Sequence, residues 1–437
     1  MSGLKIAVIG GGSSYTPELI EGFITRREQL PLAEIRLVDV EAGREKVEIV
    51  GSLTRRMLSK AGIDAVVSIT YDRRKALEGV DYVVSQFRVG QLDARALDER
   101  IPLKYGVLGQ ETTGPGGFFK ALRTIPVVLD IARDMDEVAP NAWFINFTNP
   151  SGIVADALVK HTRTRSMGLC NNAVNMHLGA ARMLGVEPGQ LFLQFFGLNH
   201  LVWARVFMNG ADVTPRVLEA MSEPAGAAGT PANIAALPWD RDFLLTQGFM
   251  PCGYQRYFYM TPEMLQQEMD AAATQGTRAE VVKRTEAELF ELYRDPNLAI
   301  KPPQLAKRGG AHYSDAAVSL IAAIHGDKRE IHTVNVRNGG AMPDLPADAA
   351  VEVSAVIDRH GARPLNIGPL PPQVRGLLQQ VKAFEELTVA AAVSGDPNLA
   401  MQALANNPLV PSVRIARHLW AEMSEAHRQY LPQFFQR

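Results

Sequence analysis

The sequence predicts an α/β fold, with a Rossmann-type parallel sheet over residues 1–196 and an α+β domain over residues 197–437. Three observations carry this. Short apolar runs alternate with amphipathic helical patterns through the first 200 residues, which is the rhythm of βα units and a parallel sheet. The first run ends in three glycines, Gly10 to Gly12, just ahead of a helix start. The rhythm then breaks near Gly197.

Taken in order, the strand-like runs are LKIAVIG, IRLVDV, VVSITY, DYVVSQF, WFINFT and SMGLC, with helical patterns from Pro17 and from Lys46 to Ala61 between them. FGLNHLVWARVFM reads as one strand, and Pro224 to Pro238 as a loop rich in small residues. Three long helices are expected over EMLQQEMDAAATQGTRAEVVKRTEAELFELYRD, HYSDAAVSLIAAIHG and LLQQVKAFEELTVAAAVSG, with IHTVNVRN and AAVEVSAVI as strands between them. No internal repeat or heptad pattern is visible.

Composition narrows the function classes. The 437 residues are 46% hydrophobic and 21% charged with a net charge of −2, which argues against a nucleic-acid partner or a membrane surface. No apolar run reaches the ~18 residues of a membrane span. Two cysteines, Cys170 and Cys252, cannot form a disulfide framework, and the start MSGLKIAVIG lacks a basic region followed by a long apolar segment. A cytoplasmic protein with free thiols is expected.

The glycine turn carries the first chemistry. In IAVIGGGSSYTPELIEGF, Gly10 and Gly12 fit the first two glycines of the G-x-G-x-x-G fingerprint, while Tyr15 stands at the third. Thr16 is expected as helix N-cap with Pro17 at the first helical position. Backbone N–H groups at such a turn accept a pyrophosphate. Gly10, Gly12, Ser13 and Ser14 are the candidate contacts, and Asp39, closing IRLVDV, is placed to bond a ribose hydroxyl and favour NAD over NADP. The alternative is a plain glycine turn beside a solvent-facing aspartate.

Ligands of a doubly wound sheet gather outside the carboxyl ends of its strands. Three motifs sit there: INFTNPSG, with Asn146 and Asn149 offering amides to hydroxyls; SMGLCNN, with Cys170 at the strand end and Asn171-Asn172 at the next helix start; and FFGLNH, ending in Asn199 and His200. A thiol and an imidazole from adjacent strand ends can share a metal ion with open positions for substrate oxygens. Each residue also has a plainer reading, Cys170 as a small buried apolar group and His200 as a satisfied core imidazole. By softness the pair suggests zinc first.

GGGSSYTPELIEGF, LDERIPLKYGVLGQETTGPGGFFKALRTIPVV, NFTNPSG, the Cys170-Asn171 pair, FGLNH and KRGGAHYS together resemble the NAD- and divalent-metal-dependent family 4 glycoside hydrolases, in order along nearly the whole chain. The resemblance implies a fold like that of lactate and malate dehydrogenases. Asn171 after the cysteine resembles the branch acting on 6-phospho-β-glucosides, whereas members acting on α-linkages carry aspartate or histidine there; Ala173 departs from that branch's usual proline. The implied reaction is an elimination: NAD⁺ takes a hydride from sugar C3, a base removes the C2 proton, the aglycone leaves C1, water adds, and the hydride returns.

The resemblance further implies a metal, usually Mn²⁺, held by Cys170 and His200, and Tyr254 in CGYQRYFYM as the C2 base, with Tyr257 as fallback. An ordinary tyrosine has a pKa of ~10, so base action near neutrality needs a nearby positive charge, from Arg256 or the metal. Arg95, Asn149 and Asn171 are implied substrate contacts. Arg88, Arg256 and Arg308 lie in family motifs without an assigned role, and the glycine-rich GQETTGPGG loop, with Glu111, is expected near the site as a lid. A phosphorylated β-glucoside is the expected partner, and the chain is expected to form a homodimer or homotetramer. Two rivals are a net dehydrogenase of the malate or lactate sort, which has no need of the Cys170–His200 pair, and a silent NAD-responsive binding protein, which leaves Cys170, His200 and Tyr254 unexplained.

Overall fold

Strand β1, Leu4–Ile9, shows how the first half is built. Leu4, Ile6 and Val8 enter one core while Ala7 and Ile9 enter another on the opposite face of the sheet. A strand covered on both faces reads as a continuous apolar run. The same split recurs in β4, Tyr82–Ser85, and β5, Trp143–Asn146, whose wholly buried Phe144 faces away from Ile145. Burying such a side chain stabilises by ~1.5–3 kcal/mol. With β2 Leu32–Val38, β3 Val66–Thr70 and β6 Arg165–Gly168, these strands pair in parallel in the order β3-β2-β1-β4-β5-β6. The order reverses between β1 and β4, which opens the crevice where doubly wound sheets bind ligands.

This computed structural model describes residues 3–223, 234–308 and 313–435, the side chains of 313–315 excepted. Most of the small-residue stretch 224–238, and Gly309 to His312 of KRGGAHYS, lie outside the described residues. Among the described residues no helix is long and apolar enough to cross a membrane.

The second half extends the same sheet with antiparallel strands: β7 Leu191–Leu198, β8 Leu201–Met208, β9 Ala211–Asp212, β10 Met250–Pro251, β11 Glu330–Arg337, β12 Ala350–Asp358 and β13 Gly361–Pro364. Among the described residues these thirteen strands form one sheet, continuing outward from β6 as β11-β12-β7-β8-β10. The division at residue 196 falls inside β7, and the helix Tyr313–His325 of the second half packs on the helix Thr16–Thr25 of the first.

Four local expectations are corrected. FGLNHLVWARVFM is a hairpin, because Leu198 pairs with Leu201 and leaves Asn199 and His200 as a two-residue turn; His200, its second residue, has a positive φ of 66°, uncommon for a residue other than glycine. The ends bearing Cys170 and His200 are not adjacent, since β11 and β12 lie between β6 and β7. The helix expected over residues 263–295 is two, Thr261–Thr274 and Arg278–Arg294, divided at Gly276 (φ 94°) by a capping box of Thr277 with Glu280. Thr16 is not the N-cap: Tyr15 holds that position, and the buried Thr16 hydroxyl instead donates to Gly11 O at 2.9 Å and accepts from Gln86 at 2.6 Å.

Candidate active site

The glycine turn lies at the switch point between β1 and β4. Gly10 has φ of 81°, and a Cβ there would lie 2.8 Å from Phe87 Cα; a Cβ at Gly12 would lie 2.9 Å from both Asp39 Oδ2 and Val47 N. Only glycine fits this cradle. Asp39, one residue past β2, accepts from the N–H of Gly12 at 2.8 Å and of Val40 at 2.9 Å, so it braces the turn it was expected to serve. Ser13 accepts from Tyr15 N–H at 3.3 Å. The buried Ser14 hydroxyl donates to Glu286 at 3.2 Å and accepts from Arg308 at 3.1 Å. The second half therefore reaches into the turn.

Cys170 and His200 meet although their strands are not neighbours. The hairpin turn packs on the first residues of the helix Ser151–His161, where a Cβ at Gly152 would come within 2.9 Å of Asn199 Cβ. Its absence lets the turn settle over the end of β6. Cys170 Sγ then lies 3.5 Å from His200 Nε2. Donors at ordinary distances of ~2.3 and ~2.1 Å from one ion stand ~3.5 Å apart at a tetrahedral angle, so the pair fits a shared cation. Among the described residues no group of three His, Cys, Asp or Glu gathers around an ion site.

The surroundings set the imidazole tautomer. Gln110 Oε1 accepts from the N–H of Thr112 at 2.6 Å and of Thr113 at 2.7 Å, and from the Thr112 hydroxyl at 2.9 Å. With its proton directed to Gln110, Thr112 Oγ1 accepts from His200 Nδ1–H at 3.0 Å, which leaves the Nε2 lone pair facing the sulfur. Burial pushes His200 down to about 3, so the ring is neutral. Burial pushes the Cys170 thiol up to about 12, opposed by the Asn172 N–H, 3.5 Å from Sγ at the start of the helix Asn172–Leu184. Ligation of a cation displaces that proton. Asn171 holds the N-cap position of this helix, its Oδ1 3.9 Å from Sγ.

Tyr254 lies face to face on His200, with ring centroids 3.7 Å apart and planes 5° from parallel. The segment is held there through Val202 of β8, whose carbonyl accepts from Cys252 N at 3.2 Å and Gln255 Nε2 at 2.9 Å. Tyr257 lies further off, its ring 6.2 Å from that of Tyr254, and burial with the Glu268 charge holds its hydroxyl well above the usual range. The charge expected from Arg256 points elsewhere. Its guanidinium donates to Leu237 O at 2.8 Å and lies over the Trp239 ring at 4.8 Å.

Beside these groups is a cluster of cations. Glu111 is bound by Arg88, by Arg95 at 3.0 Å and by Lys120 at 2.8 Å; burial raises its carboxyl, but these charges outweigh it and hold it well below the usual range. Burial and Arg88 bring Lys120 down to about 7. Arg95 also bonds Glu99 at 2.7 Å. Arg278 is lowered by burial and by the charges of Arg95 and Arg308, and its buried Nε has no hydrogen-bond partner. Five cations, Arg88, Arg95, Lys120, Arg278 and Arg308, thus stand against Glu99, Glu111 and Glu286. The excess charge and the orphaned N–H suit an anionic ligand.

Two further expectations change. Asn146 is buried and its amide is used internally, accepting from Ser85 at 2.7 Å and donating to Thr148 O at 3.2 Å; Asn149 remains at the cleft edge, half-buried, accepting from Ser151 N at 3.3 Å. Gly114, Gly116 and Gly117 belong to the helix Gly114–Val138 and not to a loop. Glu111, ahead of this helix, is held by three cations. A small pocket that shares His200 and Thr112 with the site is lined also by Pro150, Gly152, Asn199 and Glu385, and reaches neither Cys170 nor Tyr254. Thr112, Lys120 and Arg278 were not anticipated; the T-x-x-E box at Thr277 was the signal for Arg278.

The profile of the Family 4 glycosyl hydrolases matches residues 5–186, and that of the Family 4 glycosyl hydrolase C-terminal domain matches residues 195–410. The chain belongs to this family. It is 54% identical to the "Probable 6-phospho-beta-glucosidase" of Bacillus subtilis strain 168, across 99% of this chain and 98% of that one. It superposes with a TM-score of 0.88 and 35% identity on the 6-phospho-β-glucosidase of Thermotoga maritima solved with manganese, NAD⁺ and glucose-6-phosphate, covering 98% of this chain and 99% of that chain. The lactate dehydrogenase of Cryptosporidium parvum, at 14% identity and a TM-score of 0.54 over 90% and 99% of the two chains, shares the fold.

Proposed function

We propose that this family 4 hydrolase cleaves 6-phospho-β-glucosides by NAD-dependent elimination. The observation that carries this is the contact of Cys170, His200 and Tyr254 beside a cation-rich cluster. The names and ligands of the Bacillus and Thermotoga relatives support the substrate class, and Asn171 supports the β-branch. The Gly10–Gly12 cradle with Ser13, Ser14 and Asp39 would hold NAD, and Cys170 with His200 a divalent cation such as Mn²⁺. When bound, these supply a hydride acceptor for sugar C3 and Lewis acidity for the C2 and C3 oxygens.

The chain's own residues do the rest. Arg88, Arg95, Arg278 and Arg308 take the phosphate, with Arg278 Nε bringing an unpaired donor. Asn149 and Asn171 orient the sugar hydroxyls. Once C3 is a ketone, Tyr254 takes the C2 proton, the electron pair forms the C1=C2 bond, and the C1–O bond breaks as the aglycone oxygen takes a proton from a water molecule. The hydroxide left from that water adds to C1, and the proton on Tyr254 returns to C2. Because Arg256 faces Trp239, the charge that favours the phenolate would come from a cation held by Cys170 and His200, on whose ring Tyr254 stacks.

The test is a comparison of 4-nitrophenyl β-glucoside 6-phosphate with its unphosphorylated and α-linked counterparts. Charge-assisted hydrogen bonds contribute ~1.5–3 kcal/mol each, so losing two costs the unphosphorylated compound about 10²–10⁴-fold in kcat/KM. The α-anomer is expected to react more slowly than the β-anomer. Equal rates with and without phosphate would overturn the substrate class, and equal rates on both anomers would remove the argument from Asn171.

A further inference from the structure

Tyr15 stands where the dinucleotide fingerprint carries its third glycine, which ordinarily allows close helix–strand packing. Its backbone is ordinary, φ −88° and ψ −10°, so the conformation does not require glycine. Its side chain has a distinct neighbour. Arg308 lies with its guanidinium carbon 4.6 Å from the Tyr15 ring centroid and donates to Tyr15 Oη at 3.2 Å. The same guanidinium reaches Ser14 Oγ at 3.1 Å and Glu286 at 3.4 Å, and Glu286 is tied to Lys46 at 2.5 Å. Tyr293 Oη donates to Ser14 O at 2.8 Å. Arg278 of the cation cluster donates to Arg308 O at 2.9 Å, and the Arg308 charge acts on both Arg88 and Arg278.

One arginine thus touches both the dinucleotide turn and the cation cluster. We propose that Tyr15 is a positioning residue that fixes Arg308 toward the substrate phosphate and thereby couples dinucleotide binding to sugar-phosphate binding. The proposal rests on the reading of the cation cluster as a phosphate site. A ligand that settles residues 10–15 settles Arg308, and one that engages Arg308 settles the turn; such coupling is reciprocal.

Calorimetric titration of glucose 6-phosphate, with and without saturating NAD, tests this in the full chain with Tyr15→Phe and Tyr15→Leu. Wild type is expected to bind the sugar phosphate at least about 5-fold tighter with NAD present. Tyr15→Leu removes the ring and should weaken glucose 6-phosphate about 3- to 30-fold, the size of a partly desolvated cation–π contact. Its coupling factor should fall close to one while NAD alone binds within about 3-fold of wild type, which also shows that the turn is folded. Tyr15→Phe keeps the ring and should fall between. If Tyr15→Leu binds glucose 6-phosphate like wild type, or loses NAD and sugar phosphate in equal proportion, the positioning role is overturned and the residue only packs the turn. If wild type itself does not bind glucose 6-phosphate, the phosphate reading fails and this proposal with it.

Discussion

Tyr254→Phe is expected to exchange the C2 proton of the sugar ~10²–10⁴-fold more slowly than wild type, the usual cost of losing a general base. The ring stacked on His200 at 3.7 Å is retained in this variant, so packing beside the cation site persists and only the acid–base oxygen is lost. Affinities for NAD and Mn²⁺ should stay near wild type. Deuterium incorporation at C2 of the released sugar phosphate in D₂O reads the step directly. Normal exchange by Tyr254→Phe together with slow exchange by Tyr257→Phe would move the base to Tyr257, and normal exchange by both would remove tyrosine from the role. The geometry favours Tyr254, because Tyr257 stands one ring further from His200 beside Glu268.

Cys170→Ser and His200→Ala are expected to fold, to lose Mn²⁺ and to lose activity with it. Each removes one of the two donors that stand 3.5 Å apart among the described residues, and a neutral serine hydroxyl is a weaker ligand than a thiolate. Chelation of the wild type should abolish turnover and Mn²⁺ restore it. Thr112→Val should keep both donors but free His200 Nδ1, at a cost of ~10–100-fold in metal affinity. Full activity in Cys170→Ala would return the thiol to core packing.

The parallel half was legible because its strands are short, doubly buried and separated by helices, so burial alone writes the pattern: Ala7 and Phe144 on one face, Ile6 and Ile145 on the other. The hairpin at Asn199-His200 was hidden by its own apolar continuity. Phe196 and Leu198 before the turn, and Leu201 to Ala204 after it, are all buried, so only the two polar residues Asn199 and His200 marked the reversal. Asn146 and Asn149 look alike in INFTNPSG, yet Ser85 on the neighbouring strand takes the first into the core. That partner is 61 residues away, beyond any local pattern. Arg278 was legible in principle, but helical spacing on either side of Gly276 obscured the capping box. The meeting of Cys170 with His200 was expected for the wrong reason, since Gly152 and not strand adjacency permits it.

Under the proposed elimination the redox step is internal to each turnover. With catalytic NAD, Mn²⁺ and excess 4-nitrophenyl β-glucoside 6-phosphate, released 4-nitrophenol and free NADH are followed in the same cuvette at separate wavelengths. Many equivalents of nitrophenol per NAD are expected with no accumulation of NADH, because every hydride taken from C3 is returned. NADH rising in step with product, or turnover ending after one equivalent per NAD, would contradict it and make the chain a dehydrogenase.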